Sequence, residues 1–479
     1  MITARHRHVA LLVAGCYFME MLDGTIVTTA APKIGAALHA PATEIGLVVT
    51  AYLLTLAVLI PLSGWLTRRL GNRVVFLTAI ILFTGASVGC ACSGSLGELV
   101  AFRVLQGAGG AMMVPVGRMM VLSKAAKEDI LRLTSYVVWP GLLAPVIAPL
   151  AGGLITTYAS WHWIFLINAP LGVVAFALAW RLVGDGREGD AVVPPLDWTG
   201  MLLTGTGLGG LAWAAHLVAE PAAPAVPTAL IFFGSVVLLA IAVWHLRRAA
   251  HPLLNLRTLS NPTFRVTQLG GTGYMLVVGS MPFLLPLLFQ TGFGWSPVKS
   301  GAVTAFVFAG NVGIKPATTP LINRFGFRSV LVVSALGTAL LVAALGFTTA
   351  ATPVVLIALL ALGSGITRST GFTVYTTVGL ADMPPELMRD ANTLAATSMQ
   401  LGLGLAVAGA AVALRIGDAV TGGMFAGHGQ AAYTVAFCLL ALVAAGCAAG
   451  ALRLDPAAGD AARRPRPAAV PSAPSGQAG

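Results

Sequence analysis

Two carboxylates, Glu20 and Asp23, stand three residues apart in FMEMLDGTIVTTAAPKIG (18–35), inside a segment otherwise built from Val, Leu, Ala, Gly and Met. A spacing of three puts them on one face of a helix. In a partly dry site two neighbouring acids do not readily ionise together, which suits a group that must bind and release protons. Charged residues inside apolar runs are few: Glu20, Asp23, Arg103, Lys315 and, nearer the inner end of its run, Arg368. Each costs at least ~2.5–3.5 kcal/mol at a bilayer centre, so each must face a bundle interior or a wet cavity. The competing reading is internal ion pairing that only fixes helix register.

In RVLQGAGGAMM (103–113), Arg103, Gln106, Gly107 and Gly110 follow i, i+3, i+4, i+7. One helix face then carries a guanidinium and an amide beside a glycine groove that lets another helix approach. A buried Arg needs a partner, and the first segment offers a carboxylate. The competing reading is a packing face with an Arg reaching to the interface. GLLAPVIAPLAGG (141–153) sets Gly141, Pro145 and Pro149 at steps of four, followed by Gly152 and Gly153. Prolines free backbone carbonyls and bend a helix, and small residues make a tight interface. Gln106, Gln290, Lys315 and Arg368 are the candidates to line a substrate cavity.

The elements that must hold these residues follow from composition. The 479-residue chain is 57% hydrophobic and 9% charged, against roughly 25% charged in soluble domains. Its mean hydropathy is +0.86. Apolar runs long enough to cross the ~30 Å hydrocarbon core recur along it. The fold class expected is an all-α polytopic membrane protein with fourteen spans: 9–33, 44–66, 74–93, 96–118, 131–154, 162–183, 197–217, 227–247, 264–290, 299–320, 329–349, 352–374, 390–414 and 430–452. The basic start MITARHRHVALL reads as part of a retained first helix, not a cleaved signal.

The net charge of +11 does not call for nucleic acid. With the N-terminus placed in the cytoplasm, nineteen Lys and Arg fall on inner segments and only Lys33, Lys299 and Arg415 on outer ones. That is the asymmetry of the positive-inside rule, with both termini cytoplasmic. Cys16, Cys90, Cys92, Cys438 and Cys447 all lie in apolar runs and read as small buried side chains rather than a disulfide or metal set.

Two six-span blocks, 1–183 and 263–452, flank a two-helix segment with its loops, 184–262; a tail, 453–479, reads as disordered. The blocks echo each other. GWLTRRLGNRVVF (64–76) and TPLINRFGFRSVL (319–331) both contain [RN]-R-x-G-x-R. Arg69 lies 60 residues after Val9, and Arg324 lies 60 residues after Phe264. Such repeats build many secondary transporters, with the substrate site between the halves. No G-x-x-x-x-G-K-[ST], H-E-x-x-H or G-x-S-x-G occurs, so neither an ATP-driven pump nor those hydrolases are encoded here.

Taken together, these motifs resemble the major facilitator superfamily, in its fourteen-helix drug:proton antiporter branch of the EmrB/QacA type and, within it, the MdtD-type members. LDGTIVTTAAPKIG (22–35) is similar to the branch's first-helix motif, GWLTRRLGNR (64–73) to the superfamily loop motif with Gly64, Arg68, Arg69, Gly71 and Arg73, RVLQGAGGA (103–111) to the fourth-helix motif, 141–153 to the antiporter motif of the fifth helix, and WHWIFLINAPLG (161–172) to the start of the sixth. The resemblance implies two six-helix bundles plus two extra helices, alternating access, and efflux of small molecules in exchange for protons with no cofactor. It makes Asp23 the first-helix acid linked to protons or cationic substrate, and Arg103 the fourth-helix Arg implicated in proton transfer. Three positions depart from the pattern. Arg68 stands where the loop motif has an acid, Ala144 and Ala148 replace glycines, and Glu20 is an additional acid.

The function expected is a proton-coupled exporter of amphipathic or cationic small molecules, monomeric, in a bacterial inner membrane. A dedicated exporter of one metabolite is the alternative within that class. A membrane enzyme or receptor lacks any nucleophile, metal set or sensor domain in this sequence.

Overall fold

The computed structural model describes residues 4–41, 44–122, 130–184, 195–219, 224–421, 429–456 and 458–459. Several of the counted basic residues, and the tail beyond 459, lie outside the described residues. Sixteen α-helices follow in order: α1 (Ala4–Ala37), α2 (Gly46–Leu70), α3 (Asn72–Cys92), α4 (Leu96–Leu122), α5 (Ile130–Tyr158), α6 (Trp163–Leu166), α7 (Asn168–Leu182), α8 (Trp198–Ala219), α9 (Ala225–Arg248), α10 (Pro262–Leu287), α11 (Pro297–Gly313), α12 (Lys315–Phe325), α13 (Phe327–Gly346), α14 (Val354–Ala381), α15 (Met388–Thr421) and α16 (Gln430–Ala451). Among the described residues no strand forms.

Among the described residues, twelve stretches are long and apolar enough to cross a membrane by length and composition, where fourteen were expected. The fifth and tenth expected spans are the two outside that set. The fifth lies on α5, a 29-residue helix in which Leu143–Tyr158 is the apolar stretch among the described residues. The tenth expected span is broken at Ile314 into α11 and α12. Pro316 has no N–H to give to Val312, so the chain tightens there, with the Ala317 N–H bonding to Ile314 O at 2.9 Å. The sixth span is broken similarly at Ile167, three residues before Pro170, yet Trp163–Leu182 still qualifies. Both short segments keep their crossing positions: α5 packs on α1 and α11, and α11 packs on α5 and α14. The architecture is therefore two six-helix bundles with α8 and α9 between them.

The repeat is physical as well as textual. Gly71 ends α2 at φ 86°, ψ 152°, and Gly326 ends α12 at φ 81°, ψ 160°. Both lie in a region that glycine alone enters cheaply. Two residues later each block presents an Arg to the end of its own last helix: Arg73 Nη2 donates to Trp180 O at 3.0 Å, and Arg328 Nη2 donates to Leu452 O at 2.8 Å. These loops mark one end of the molecule, the basic end, to which both α1 and α16 also run their chain termini.

At the opposite end the bundles are locked together. A Cβ at Gly153 would sit 2.5 Å from Pro297 O, and one at Gly301 would overlap Pro149 O. The two glycines thus interlock α5 and α11 backbone to backbone, each four residues from the carbonyl that the other covers. Gly46 of α2 makes room for the Val407 side chain of α15, whose Cγ1 would lie 2.8 Å from a Cβ there. One apolar core runs through both bundles here, from Ile26, Ile34 and Phe165 to Phe283, Phe289 and Tyr433. Towards the basic end the bundles part around a cavity of about 560 Å³ between α2, α4, α15 and the inter-bundle segment, lined by Pro61, Gly64, Arg68, Asp197, His251 and Asp390 among others.

The inter-bundle helices are pinned at that cavity. Asp197 accepts from His245 Nε2 at 2.7 Å, from the Gly200 N–H at 2.8 Å and from the Leu253 N–H at 3.1 Å. Burial alone would raise its carboxyl, but these donors outweigh burial and hold the group below its ordinary value. Asn255 then ties the segment to the C-terminal bundle by donating to Asp390 at 2.6 Å. The first residues of the tail are docked rather than loose: Leu454 and Ala458 are buried in the C-terminal core, and the Gly459 N–H faces the Asp382 carboxylate at 3.3 Å. An apolar residue at either position removes surface from water, which an all-disordered reading of 453–479 missed.

Candidate functional site

Asp23 is 1% exposed at mid-helix in α1, and α4 brings Arg103, wholly buried, against it. Arg103 Nη1 donates to Asp23 Oδ2 in a short ion pair. The other oxygen, Oδ1, accepts from Gln106 Nε2 at 2.9 Å and from Asn168 Nδ2 at 2.8 Å. Gln106 also donates to Ser87 Oγ at 2.7 Å, and its own carbonyl accepts from Arg103 at 2.7 Å. Arg103, Gln106 and Asn168 all donate to the Asp23 oxygens, a donor set suited to a carboxylate. Four helices contribute: α1, α3, α4 and α7.

Local sequence explains how the groups converge. Gly107 lets α4 approach α2 so closely that a Cβ would lie 2.8 Å from Tyr52 O, and Gly109 does the same against Phe83 N of α3 at 2.6 Å. The Pro170 break sets Asn168 at the first turn of α7, pointing inward. The guanidinium is sandwiched between rings, with its centre 4.1 Å from that of Tyr52 and 5.8 Å from that of Phe165, and Arg103 Nε donates to Val48 O at 3.3 Å. Aromatic faces stabilise a cation that water cannot reach. Breaking such a buried pair from one side costs about 3–5 kcal/mol.

Glu20 faces α4 as well, one turn nearer the basic end, so the shared helix face holds. Its surroundings differ. It is 5% exposed, and its Oε2 is buried without a partner. It sits beside Gly110, which also borders the Tyr52 hydroxyl, itself buried and unpartnered. Tyr52 therefore stands between the two acids, its ring under Arg103 and its hydroxyl towards Glu20. Arg118 stacks 4.8 Å over Tyr17, on the α1 turn before Glu20.

The other candidates fall elsewhere. Lys315, at the start of α12, donates from Nζ to Thr373 Oγ1 at 3.0 Å. Arg368, midway along α14, has its guanidinium 5.3 Å from the Phe308 ring and its Nη1 buried without a partner. Gln290 belongs to the closed end: its Nε2 donates to Thr29 O of α1 at 3.0 Å, across the two bundles. Gln106 is wholly buried in the Asp23 network, not on an open wall. Among the motif residues, Gly110 and Gly152 face close neighbours, Gly152 meeting Ile26 O of α1 at 3.1 Å, while Gly64 has open space around it. Pro145 and Pro149 lie within α5. Arg68 is exposed at the cavity mouth, Arg69 stacks 5.1 Å over Trp65, and Arg324 stacks 5.2 Å over Phe325. Ser87, Tyr52 and Asn168 are the participants that the sequence reading did not single out. Asn168 lay inside the quoted WHWIFLINAPLG, where a lone amide in an apolar run was the available signal.

Two helical bundles related by a repeat, with an ion pair buried in one of them, are an architecture found in polytopic membrane transporters. The chain belongs to the Major Facilitator Superfamily, whose family model matches residues 13–407. A protein of Cronobacter sakazakii that carries the provisional name multidrug resistance protein MdtD is 38% identical over 398 residues, covering 83% of each chain. A Pectobacterium carotovorum protein of the same name is 36% identical over 401 residues, covering 83% of this chain and 85% of its own. The fold is shared with a bacterial homologue of the lysosomal transporter Spinster, at TM-score 0.68 and 15% identity over 94% of this chain and 97% of that one. It is likewise shared with a D-xylose–proton symporter, at 0.65 and 16% over 91% and 96%.

Proposed function

We propose that this protein is a proton-coupled secondary transporter that exports amphipathic or cationic small molecules by alternating access. The observation that carries this reading is the Asp23 carboxyl, buried and held by Arg103, Gln106 and Asn168 in one bundle of a rocking pair. Similarity to proteins named for multidrug resistance supports the substrate class. The bundles are residues 1–183 and 263–452, with 184–262 bridging them and 453–479 as the tail. The basic end is cytoplasmic, with both termini there, in a bacterial inner membrane. The interlocked α5–α11 end then faces outward, and the cavity near Arg68 opens inward. The protein works as a monomer, needs no cofactor, and takes its energy from the proton gradient.

In this reading the proton reaches Asp23 when the outer end opens and Arg103 withdraws from it. Closure restores the ion pair and expels the proton inward. Glu20, beside the Tyr52 hydroxyl and nearer the cytoplasm, receives it or offers a charge to a cationic substrate. Each proton entering down 100 mV releases ~2.3 kcal/mol, enough for about fifty-fold accumulation. The test uses inverted membrane vesicles energised to acidify their lumen. Ethidium added outside should drive proton release from the lumen in the wild type and none in Asp23→Asn at matched protein levels. Undiminished proton release in Asp23→Asn would move the coupling site away from this network.

A further inference from the structure

The C-terminal bundle carries two half-buried cations, Lys315 and Arg368, while its buried acid, Asp418, lies on α15. Lys315 sits directly after the α11–α12 break and reaches Thr373 of α14, the helix that carries Arg368 little more than a turn earlier. No carboxylate pairs with either among the described residues. Lys315 has one neutral partner, the Thr373 hydroxyl. Arg368 has five N–H donors to satisfy, yet it makes no hydrogen bond, and its Nη1 is shut away from any partner. Two half-buried like charges, with donors unspent and one guanidinium nitrogen shut from water, make a site that a visiting anion would neutralise. In the N-terminal bundle the same problem is solved internally, by Asp23 for Arg103. Nothing in the C-terminal bundle does so.

The surroundings say what the visitor looks like. The Phe308 ring lies 5.3 Å from the Arg368 guanidinium centre, and the Phe372 ring lies 5.8 Å from Lys315 Nζ. A planar oxyanion could accept from Arg368 by two parallel bonds and from Lys315 by a third, while an apolar body rests on the rings. We propose that Lys315 and Arg368 form an oxyanion subsite, so that amphipathic acids carrying a carboxylate or a similar anionic head are among this transporter's substrates. This rests on the reading of the chain as a small-molecule exporter and adds a second charge class to its amphipathic substrates. The anionic head engages the C-terminal bundle, and the proton site stays separate in the N-terminal one.

The test is equilibrium binding to the purified full-length protein in phosphatidylcholine nanodiscs, so that it does not depend on proton coupling. The probes are 2-naphthoate, its uncharged amide and a naphthylmethyl-trimethylammonium cation of similar size. Wild type should bind the acid at least tenfold more tightly than the amide. Arg368→Gln and Lys315→Gln should each erase that preference and leave the cation unaffected or bound more tightly, while Arg368→Lys keeps part of it. Equal affinity for acid and amide in wild type, or a preference that survives both Gln variants, overturns the proposal. A single monodisperse peak in size exclusion certifies each variant, and either Gln variant alone suffices. In nanodiscs containing phosphatidylglycerol, naphthoate should bind as before. Its displacement by the acidic lipid would assign the subsite to a lipid headgroup and overturn the substrate assignment. Should Asp23→Asn retain proton exchange while the binding preference holds, the coupling scheme fails and the subsite stands.

Discussion

The two bundles share a scaffold and differ in what they bury. Their second-to-third helix loops turn at glycines of nearly the same φ and ψ, and an Arg two residues later closes each loop onto the bundle's last helix. Each also places a polar residue immediately after a proline-linked helix break: Asn168 in one and Lys315 in the other. Inside, the N-terminal bundle holds a buried ion pair, with Arg103 Nη2 left over, plus one unpartnered acid. The C-terminal bundle holds two cations that no acid meets among the described residues. Backbone geometry is retained where the halves must move alike, and side-chain chemistry is divided where they do different work.

That contrast can be broken by removing charges one at a time. The largest effect is expected in the N-terminal bundle. Asp23→Asn leaves Arg103 buried against a neutral amide, and thermal unfolding in detergent should report a loss of about 3–5 kcal/mol. Because Asp23 is paired, deleting its charge strands Arg103 instead of relieving an insertion cost. The double variant Asp23→Asn/Arg103→Gln should recover most of that stability and none of the proton coupling. Equal destabilisation of the single and double variants would mean that the pair does not act as a unit.

The seal comes next. Gly301→Ala sets a methyl group against Pro149 O, and overpacking of this kind costs about 1–3 kcal/mol. Since that cost exists only while α5 and α11 are interlocked, the variant should favour opening at that end. Thiol labelling of a cysteine placed at Val298 should then be faster than in the Val298 variant alone. An unchanged labelling rate would remove these glycines from the conformational switch.

Arg368→Gln should have the opposite sign from Asp23→Asn. It deletes a charge that has no partner, so stability in the absence of ligand should rise by on the order of 1 kcal/mol. A fall comparable to that of Asp23→Asn would reveal a compensating anion inside the bundle and erase the contrast. The smallest change in stability is expected at Glu20. Glu20→Gln keeps the shape and breaks no ion pair, so unfolding should shift by less than about 0.5 kcal/mol. Its proton release should be reduced, not abolished, and more so for cationic substrates than for neutral ones.

Much of this was written in local sequence. Scarcity of charge and length of apolar runs decide membrane insertion, because each span pays its own transfer cost whatever its neighbours are. The turn at Gly71 and its echo at Gly326 were legible because a positive φ is a property of one residue. The partnership of Arg103 with Asp23 could be anticipated, since a buried guanidinium must be matched and acids were few. Other features depended on distance in the chain collapsing to distance in space. Asn168 reaches Asp23 across 145 residues, and no spacing rule connects them. Glu20 and Asp23 looked alike as two acids on one face. Only packing gave one of them an Arg, a Gln and an Asn, and left the other beside a glycine and an idle hydroxyl. Gln290 looked like a cavity residue until the fold set Thr29 O of the other bundle beside it. Which charges are matched is decided by which helices touch, and tertiary structure alone assigns those neighbours.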